Sequence, residues 1–314
     1  LETGGKPFDS KAPRPQNLFV YERYFNGIAV GITVPKTYHR PGQLRDALAA
    51  LAGQDMLVMA GGTDIYPAQQ GRDLDREILD LTAISDLSGI RETAAGWDIG
   101  ATTPWAMIAA ADMPAAFHAL QQAAKQVGSV QIQNSGTIGG NLCNASPAAD
   151  GVPPLLVLGA EVVLTSTKGD RRLPLTDFLT GVRSTARARD EIVTAIHLPK
   201  TRTRGRAVFG KLGARKYLVI STAMAAVRVV LAEGMIDEVA IAVGACSPVA
   251  QRLPGVEAAL RGTDGCEPGL WQAPLKADIA QHLTPIDDIR ADAAYRQGAV
   301  ATLVSDLILQ TVTV

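Results

Sequence analysis

From residue 131 to residue 150 the chain contains no Lys, Arg or Glu, and Asp150 at its end is the only charged side chain. The same stretch holds Gly136, Gly139 and Gly140 among Asn134, Ser135, Thr137, Asn141, Asn144 and Ser146. It is too polar for an ordinary core element and too uncharged for a solvated loop, which normally carries Lys or Glu. Neutral donors and acceptors at this density suit the edges of a buried polar ligand. Residues 129–154 show little hydrophobic periodicity, and long ordered loops of that kind tend to be functional. The alternative reading is a buried polar loop that packs on itself.

A second glycine-rich segment, Met59-Ala60-Gly61-Gly62-Thr63-Asp64, follows a short apolar strand. Two glycines turn the chain tightly there. Successive N–H groups can form an anion-binding concavity, with the Thr63 hydroxyl as a further donor. Alone, the hexapeptide reads either as a phosphate-holding loop or as an ordinary Gly-Gly turn. Neither segment is a GxGxxG fingerprint or a GxxxxGK[ST] phosphate loop. There is no GxSxG elbow. Asp64 and Asp150 as a paired acid and base leave a hydrolase as a minor alternative.

Composition narrows the partners. The 314 residues carry 30 Lys and Arg against 31 Asp and Glu, a net charge of −1. That balance gives no electrostatic reason to propose nucleic acid or an anionic membrane. Only 5% of residues are aromatic, which argues against a base-stacking surface. Cys143, Cys246 and Cys266 form no CxxC pair, and His39, His118, His197 and His282 are scattered. Neither a disulfide framework nor a metal site is expected. No apolar run reaches the roughly 18 residues of a membrane helix, and no signal pattern opens the chain. The expected location is cytoplasmic.

Patterning predicts an α+β chain. Residues 1–33, rich in Gly and Pro, read as an extension or linker, with a short strand possible over 28–34. A first lobe, about 34–85, reads as a small β-α-β unit: a helix over 43–51 and strands over 56–60 and 77–81. A second lobe, about 86–200, starts with a hairpin over 90–99. Thr103 and Pro104 are expected to open a helix as N-cap and first-turn Pro. An Ala/Gln-rich helix over 115–127 ends at Gly128. Strands follow over 161–166, 171–174 and 191–198. The basic run from Lys200 to Arg206 reads as an exposed linker. Residues 205–314 then form a smaller domain. Strands over 207–211, 223–231 and 236–243 give an antiparallel sheet, with helices over 256–260, 270–280 and 291–309 on one face.

The two glycine-rich segments together carry a family resemblance. Ala60-Gly61-Gly62-Thr63-Asp64, then Thr137-Ile138-Gly139-Gly140-Asn141 continuing through Asn144 to Asp150, resemble the FAD-binding (medium) subunit of the molybdenum hydroxylase family. This is the xanthine dehydrogenase, carbon monoxide dehydrogenase and 4-hydroxybenzoyl-CoA reductase type. The resemblance covers about residues 34–312, including a closing segment from Thr284 to Arg290 and on to Tyr295-Arg296.

It implies a two-lobed, PCMH-type FAD-binding domain followed by a smaller α+β domain. Ala60, Gly61, Gly62, Thr63 and Asp64 would hold the pyrophosphate. Thr137, Gly139, Gly140, Asn141 and Asn144 would line the flavin and ribityl chain. Asp150 would bond within the same pocket, with Val127 and Val193 as apolar contacts and Lys211 beside the flavin ring. A cation there stabilises negative charge on the reduced ring. FAD is expected to be noncovalent, Cys143 being the one candidate for a covalent link.

The resemblance further implies an electron-transfer subunit of an oxidoreductase. A small iron–sulfur subunit with [2Fe–2S] clusters and a large molybdopterin-binding subunit would be partners. NAD+ or another acceptor would take the electrons. Three dispersed cysteines cannot supply the extra cluster that some relatives carry in this subunit. The competing readings are a stand-alone FAD-dependent oxidase of the same fold and a flavin-free interaction scaffold.

Overall fold

The structure, a computed structural model, describes residues 23–25, 28–30, 37–72 and 74–313. The reading of residues 1–22 as extension lies outside the described residues. Within 23–30, Arg23–Phe25 pairs antiparallel with Ile28–Val30, so a hairpin occupies ground that patterning assigned mainly to irregular chain.

The first lobe comprises β1 (Tyr38–His39), α1 (Leu44–Gly53), β2 (Leu57–Met59), α2 (Ile65–Gln69) and β3 (Ile78–Asp80). The strands run parallel in the order β1-β3-β2. Ala47, Leu48 and Leu51 recur at helical spacing on α1 and bury against Leu79 and Leu81. The five-residue α2 escaped the sequence reading because it is too short to show a period.

The second lobe opens with β4 (Ile90–Thr93) and β5 (Gly96–Gly100). Next come five helices: α3 (Trp105–Ala110), α4 (His118–Gln126), α5 (Val130–Ser135), α6 (Ile138–Asn144) and α7 (Val152–Val157). Strands β6 (Glu161–Ser166) and β7 (Gly169–Pro174), a small hairpin of β8 (Leu179–Gly181) and β9 (Ser184–Thr185), and β10 (Ile192–Pro199) complete it. One antiparallel sheet runs β4-β5-β10-β6-β7. Its inner face, including Ile99, Val162, Leu164 and Ile196, packs on Phe117, Leu120 and Leu142.

Two expectations need correction here. Residues 129–154 are not an irregular loop but hold α5, α6 and α7. Ser129 and Thr137 start the first two of these by accepting the amide hydrogens of Ile132 and Gly140. Each helix is seven residues or fewer, too short to display the 3.6 period. Thr103 is not an N-cap either. Its hydroxyl bonds the backbone N–H and C=O of Gly89, and Pro104 is the residue flanking α3.

The basic run forms a single turn at Lys200–Arg202. The chain then enters β11 (Arg206–Leu212), β12 (Ala223–Ala232), β13 (Met235–Gly244) and β14 (Gln251–Arg252), an antiparallel meander. Its helices are α8 (Pro254–Leu260), α9 (Pro268–His282) and α10 (Ala293–Val312). The sheet is buried on both faces. Val208, Ala223, Ala225, Val227, Ile241 and Val243 meet the three helices. Ala207, Phe209, Met224, Ala226, Ala240 and Ala242 join the core of the second lobe, where α4 and α7 pack. Burial on both sides explains why β12 and β13 read as continuous apolar runs. Among the described residues no helix is long and apolar enough to cross a membrane.

Candidate functional site

The loop after β2 and the turn between α5 and α6 meet at backbone contact. A side chain on Gly61 would place Cβ 1.8 Å from the Ser135 carbonyl oxygen. Only glycine allows that approach. Gly62 adopts φ +67, a left-handed conformation suited to glycine, beneath the Tyr66 ring. The α5–α6 turn is fixed from behind. The Gly136 carbonyl accepts the Trp105 amide, and the Ile138 and Gly139 amides bond the carbonyls of Thr103 and Ala101.

Helix α6 then sorts its residues. Ile138, Gly139 and Leu142 face the core, and a side chain on Gly139 would strike Ala101. Thr137, Gly140, Asn141 and Asn144, at positions i, i+3, i+4 and i+7, share the opposite stripe. That stripe lines a cavity of about 880 Å³. A Cβ on Gly140 would meet nothing within 4 Å except the Thr137 hydroxyl at 3.0 Å. Gly140 thus opens to the cavity, and Gly139, which also lines it, lies close against Ala101.

Every residue from Ala60 to Asp64 lines the same cavity, as do Val127 after α4, Val193 on β10 and Asp150. The two glycine-rich segments, some 70 residues apart in sequence, therefore form one wall system. The Asn141 carbonyl oxygen is buried without a hydrogen-bond partner, the one such buried polar atom among the described residues that belongs to a cavity-lining side chain. That oxygen is enclosed by protein on the side of Gly151 and Trp105 and does not open to the cavity.

Lys211 stands differently. It does not line the cavity. Its Nζ donates to Asp150 Oδ2 at 2.7 Å and to the carbonyls of Val219 and Gln126 at 3.2 and 3.3 Å, which uses all three ammonium hydrogens. Ser221 Oγ donates to Asp150 Oδ1 at 2.5 Å. Burial pushes the Asp150 carboxyl above its ordinary value, while the Lys211 charge and the two hydrogen bonds pull it down. Asp150 caps no helix. It joins the cavity to both ends of the segment between β11 and β12, and it is held too firmly to pair with the exposed Asp64 as acid and base.

Cys143 lines the cavity and is exposed. Sequence reasoning missed Arg183, Arg187 and Arg189, all of which line the cavity. Their spacing in Arg183-Ser-Thr-Ala-Arg187-Ala-Arg189-Asp-Glu191 was a usable signal, a run of like charge leading directly into a buried strand. It also missed Ser221, Val219 and Ile220, for which no local signal exists.

Comparison with known proteins agrees with this geometry. Residues 31–201 match the family described as FAD binding domain in molybdopterin dehydrogenase, and residues 209–311 match the CO dehydrogenase flavoprotein C-terminal domain. The xanthine dehydrogenase FAD-binding subunit of Escherichia coli O157:H7 is 30% identical over 88% of this chain and 96% of its own. The carbon monoxide dehydrogenase medium chain of Afipia carboxidovorans is 34% identical over 82% of this chain and 90% of its own. The fold matches carbon monoxide dehydrogenase from Hydrogenophaga pseudoflava with a TM-score of 0.80 at 28% identity, covering 89% of this chain and 97% of that one. The chain belongs to the family of FAD-binding subunits of molybdenum hydroxylase-type oxidoreductases.

Proposed function

We propose that FAD occupies the cavity between the Ala60–Asp64 turn and helix α6. Residues 34–200, in lobes of about 34–85 and 86–200, would form its domain, and residues 205–314 a supporting one. The open face of Gly140, in a cavity walled by both glycine-rich segments, carries this reading. Any side chain at 140 would enter that space. The turn at Gly61, Gly62 and Thr63 offers backbone N–H groups to a diphosphate, with Asp64 at its rim. Thr137 keeps its hydroxyl on the Gly140 amide, and Asn141 and Asn144 present amides to the hydroxyl and ring edges. Val127 and Val193 supply apolar walls.

Asp150 contributes a carboxylate fixed by Lys211 and Ser221. Lys211 exerts its charge on the flavin through that pair. Bound FAD supplies reversible electron uptake, here between [2Fe–2S] clusters of a small partner subunit, fed by a molybdopterin-binding large subunit, and NAD+ or another acceptor. Attachment is taken as noncovalent, since the cavity lining holds, among the described residues, no histidine or tyrosine and only one cysteine, Cys143. All three cysteines are free, which suits a reducing compartment and supports a cytoplasmic location.

The test is flavin binding by the purified chain and by Gly140→Val. The valine should lower FAD affinity by at least about a hundredfold, from lost ligand contacts of about 3 kcal/mol, with the fold kept. Equal affinity in the two proteins would refute the placement. Isolation of the chain with iron–sulfur and molybdopterin subunits would support the electron route, and turnover of substrate by this chain alone would exclude it.

A further inference from the structure

Arg183 has no place in the reading above, yet its geometry is specific. It occupies the turn between β8 and β9 in a left-handed conformation, φ +56, which non-glycine residues rarely adopt. Its amide donates to the Ala145 carbonyl at 2.9 Å. One guanidinium nitrogen, Nη1, donates both to the Asn144 backbone carbonyl at 3.2 Å and to the Asn144 side-chain Oδ1. Three bonds thus tie this turn to the C-terminal end of α6. A cation at that position also meets the negative end of the helix.

The side-chain bond decides an orientation. A guanidinium has donors and no acceptor. The Asn144 atom that faces Arg183 is therefore its oxygen, and its NH₂ group points elsewhere. Asn144 lines the cavity, and no protein acceptor takes its NH₂ among the described residues.

We infer that Arg183 is a positioning residue, which locks the Asn144 amide so that its NH₂ donates to an acceptor atom of the bound cofactor. This rests on FAD occupying the cavity. An asparagine free to rotate presents either atom and gives up part of its binding contribution to ordering.

FAD affinity of the stripped full-length chain tests this through four variants. Arg183→Met should weaken binding about fivefold, and Arg183→Lys, which keeps a donor toward Asn144, should restore it to within about twofold. In an Asn144→Ala background, Arg183→Met should change affinity by less than about twofold, because its effect runs through the missing amide. Asn144→Asp keeps an oxygen toward Arg183 and puts a charged acceptor in place of the donor, so it should weaken binding at least about tenfold. It carries the test alone if Arg183→Met does not fold. Additive effects of the Arg183 and Asn144 changes, or an Asn144→Asp chain that binds FAD as tightly as the parent, would overturn the assignment. A parent chain that fails to bind FAD would overturn the cofactor placement first, and this inference with it.

Discussion

At the scale of single residues, the site is a set of groups whose hydrogen bonds are assigned with little left over. Lys211 is the clearest case. It is nearly buried, its side chain 5% exposed, and it neutralises Asp150 from behind the cavity wall. Lys211→Met would leave the Asp150 carboxylate buried without its cation, at a cost of about 3–5 kcal/mol in denaturant unfolding. The pH dependence has a defined sign. With its partner gone, Asp150 is raised further above its unfolded value, so its protonated form favours the folded state. The deficit of the variant should shrink as pH falls toward the ordinary carboxylate range. A deficit independent of pH would mean that the pair is not what the substitution broke.

The residue scale also shows where sequence was informative. Gly61, Gly140, Asn141 and Asn144 stood out because uncharged polar residues and glycine are an unusual mixture for solvated chain. The partners of Asp150 could not stand out. Lys211 and Ser221 lie 61 and 71 residues away, and neither residue type is unusual on a strand end.

At the scale of elements, the site depends on helices too short to be stable alone. Helix α6 has seven residues, and isolated helices of that length are marginal in water. The Thr137 cap and the packing of Ile138, Gly139 and Leu142 hold it in place. Thr137→Ala should cost about 1 kcal/mol, and Thr137→Ser, which keeps the oxygen, only a few tenths. Thermal unfolding of the two variants separates them, and equal losses would mean that the threonine methyl group, not the cap, matters.

The brevity of these helices is also why patterning left residues 129–154 without secondary structure. Longer elements were legible, the helices α1 and α4 by their composition and spacing and β13 as an apolar run. The signal for α6 was present in another form, since Thr137, Gly140, Asn141 and Asn144 already had helical spacing. It was a polar stripe rather than an apolar one, and searches for apolar periodicity pass over it.

At the scale of the molecule, two lobes enclose the cavity, and Leu218, Val219 and Ile220 of the segment between β11 and β12 line it from the C-terminal part of the chain. Arg228 bridges the domains. It is 1% exposed and donates to the Val157 and Arg204 carbonyls and to Glu238. Farther out, the closing segment is tied to the sheet through Asp288 and the buried Arg296, which also bonds the carbonyls of Thr222 and Ala245. Burial would raise the Asp288 carboxyl. The Arg290 and Ala291 amides and the Arg290 and Arg296 guanidinium groups outweigh it and hold the group at about 2. A carboxyl depressed in the folded state stabilises above its unfolded value and loses that contribution as pH falls. Acid unfolding should therefore steepen between about pH 4 and pH 2, and Asp288→Asn should remove that component. An unchanged acid profile in Asp288→Asn would show that the segment is held by packing alone.

The central claim is that the cavity binds FAD without a covalent link. It is tested most directly by denaturing the purified chain and separating protein from supernatant. The account predicts one FAD released per folded chain, leaving no flavin absorbance on the protein. A chain that never carries or rebinds FAD, or flavin that stays with the denatured polypeptide, would contradict it.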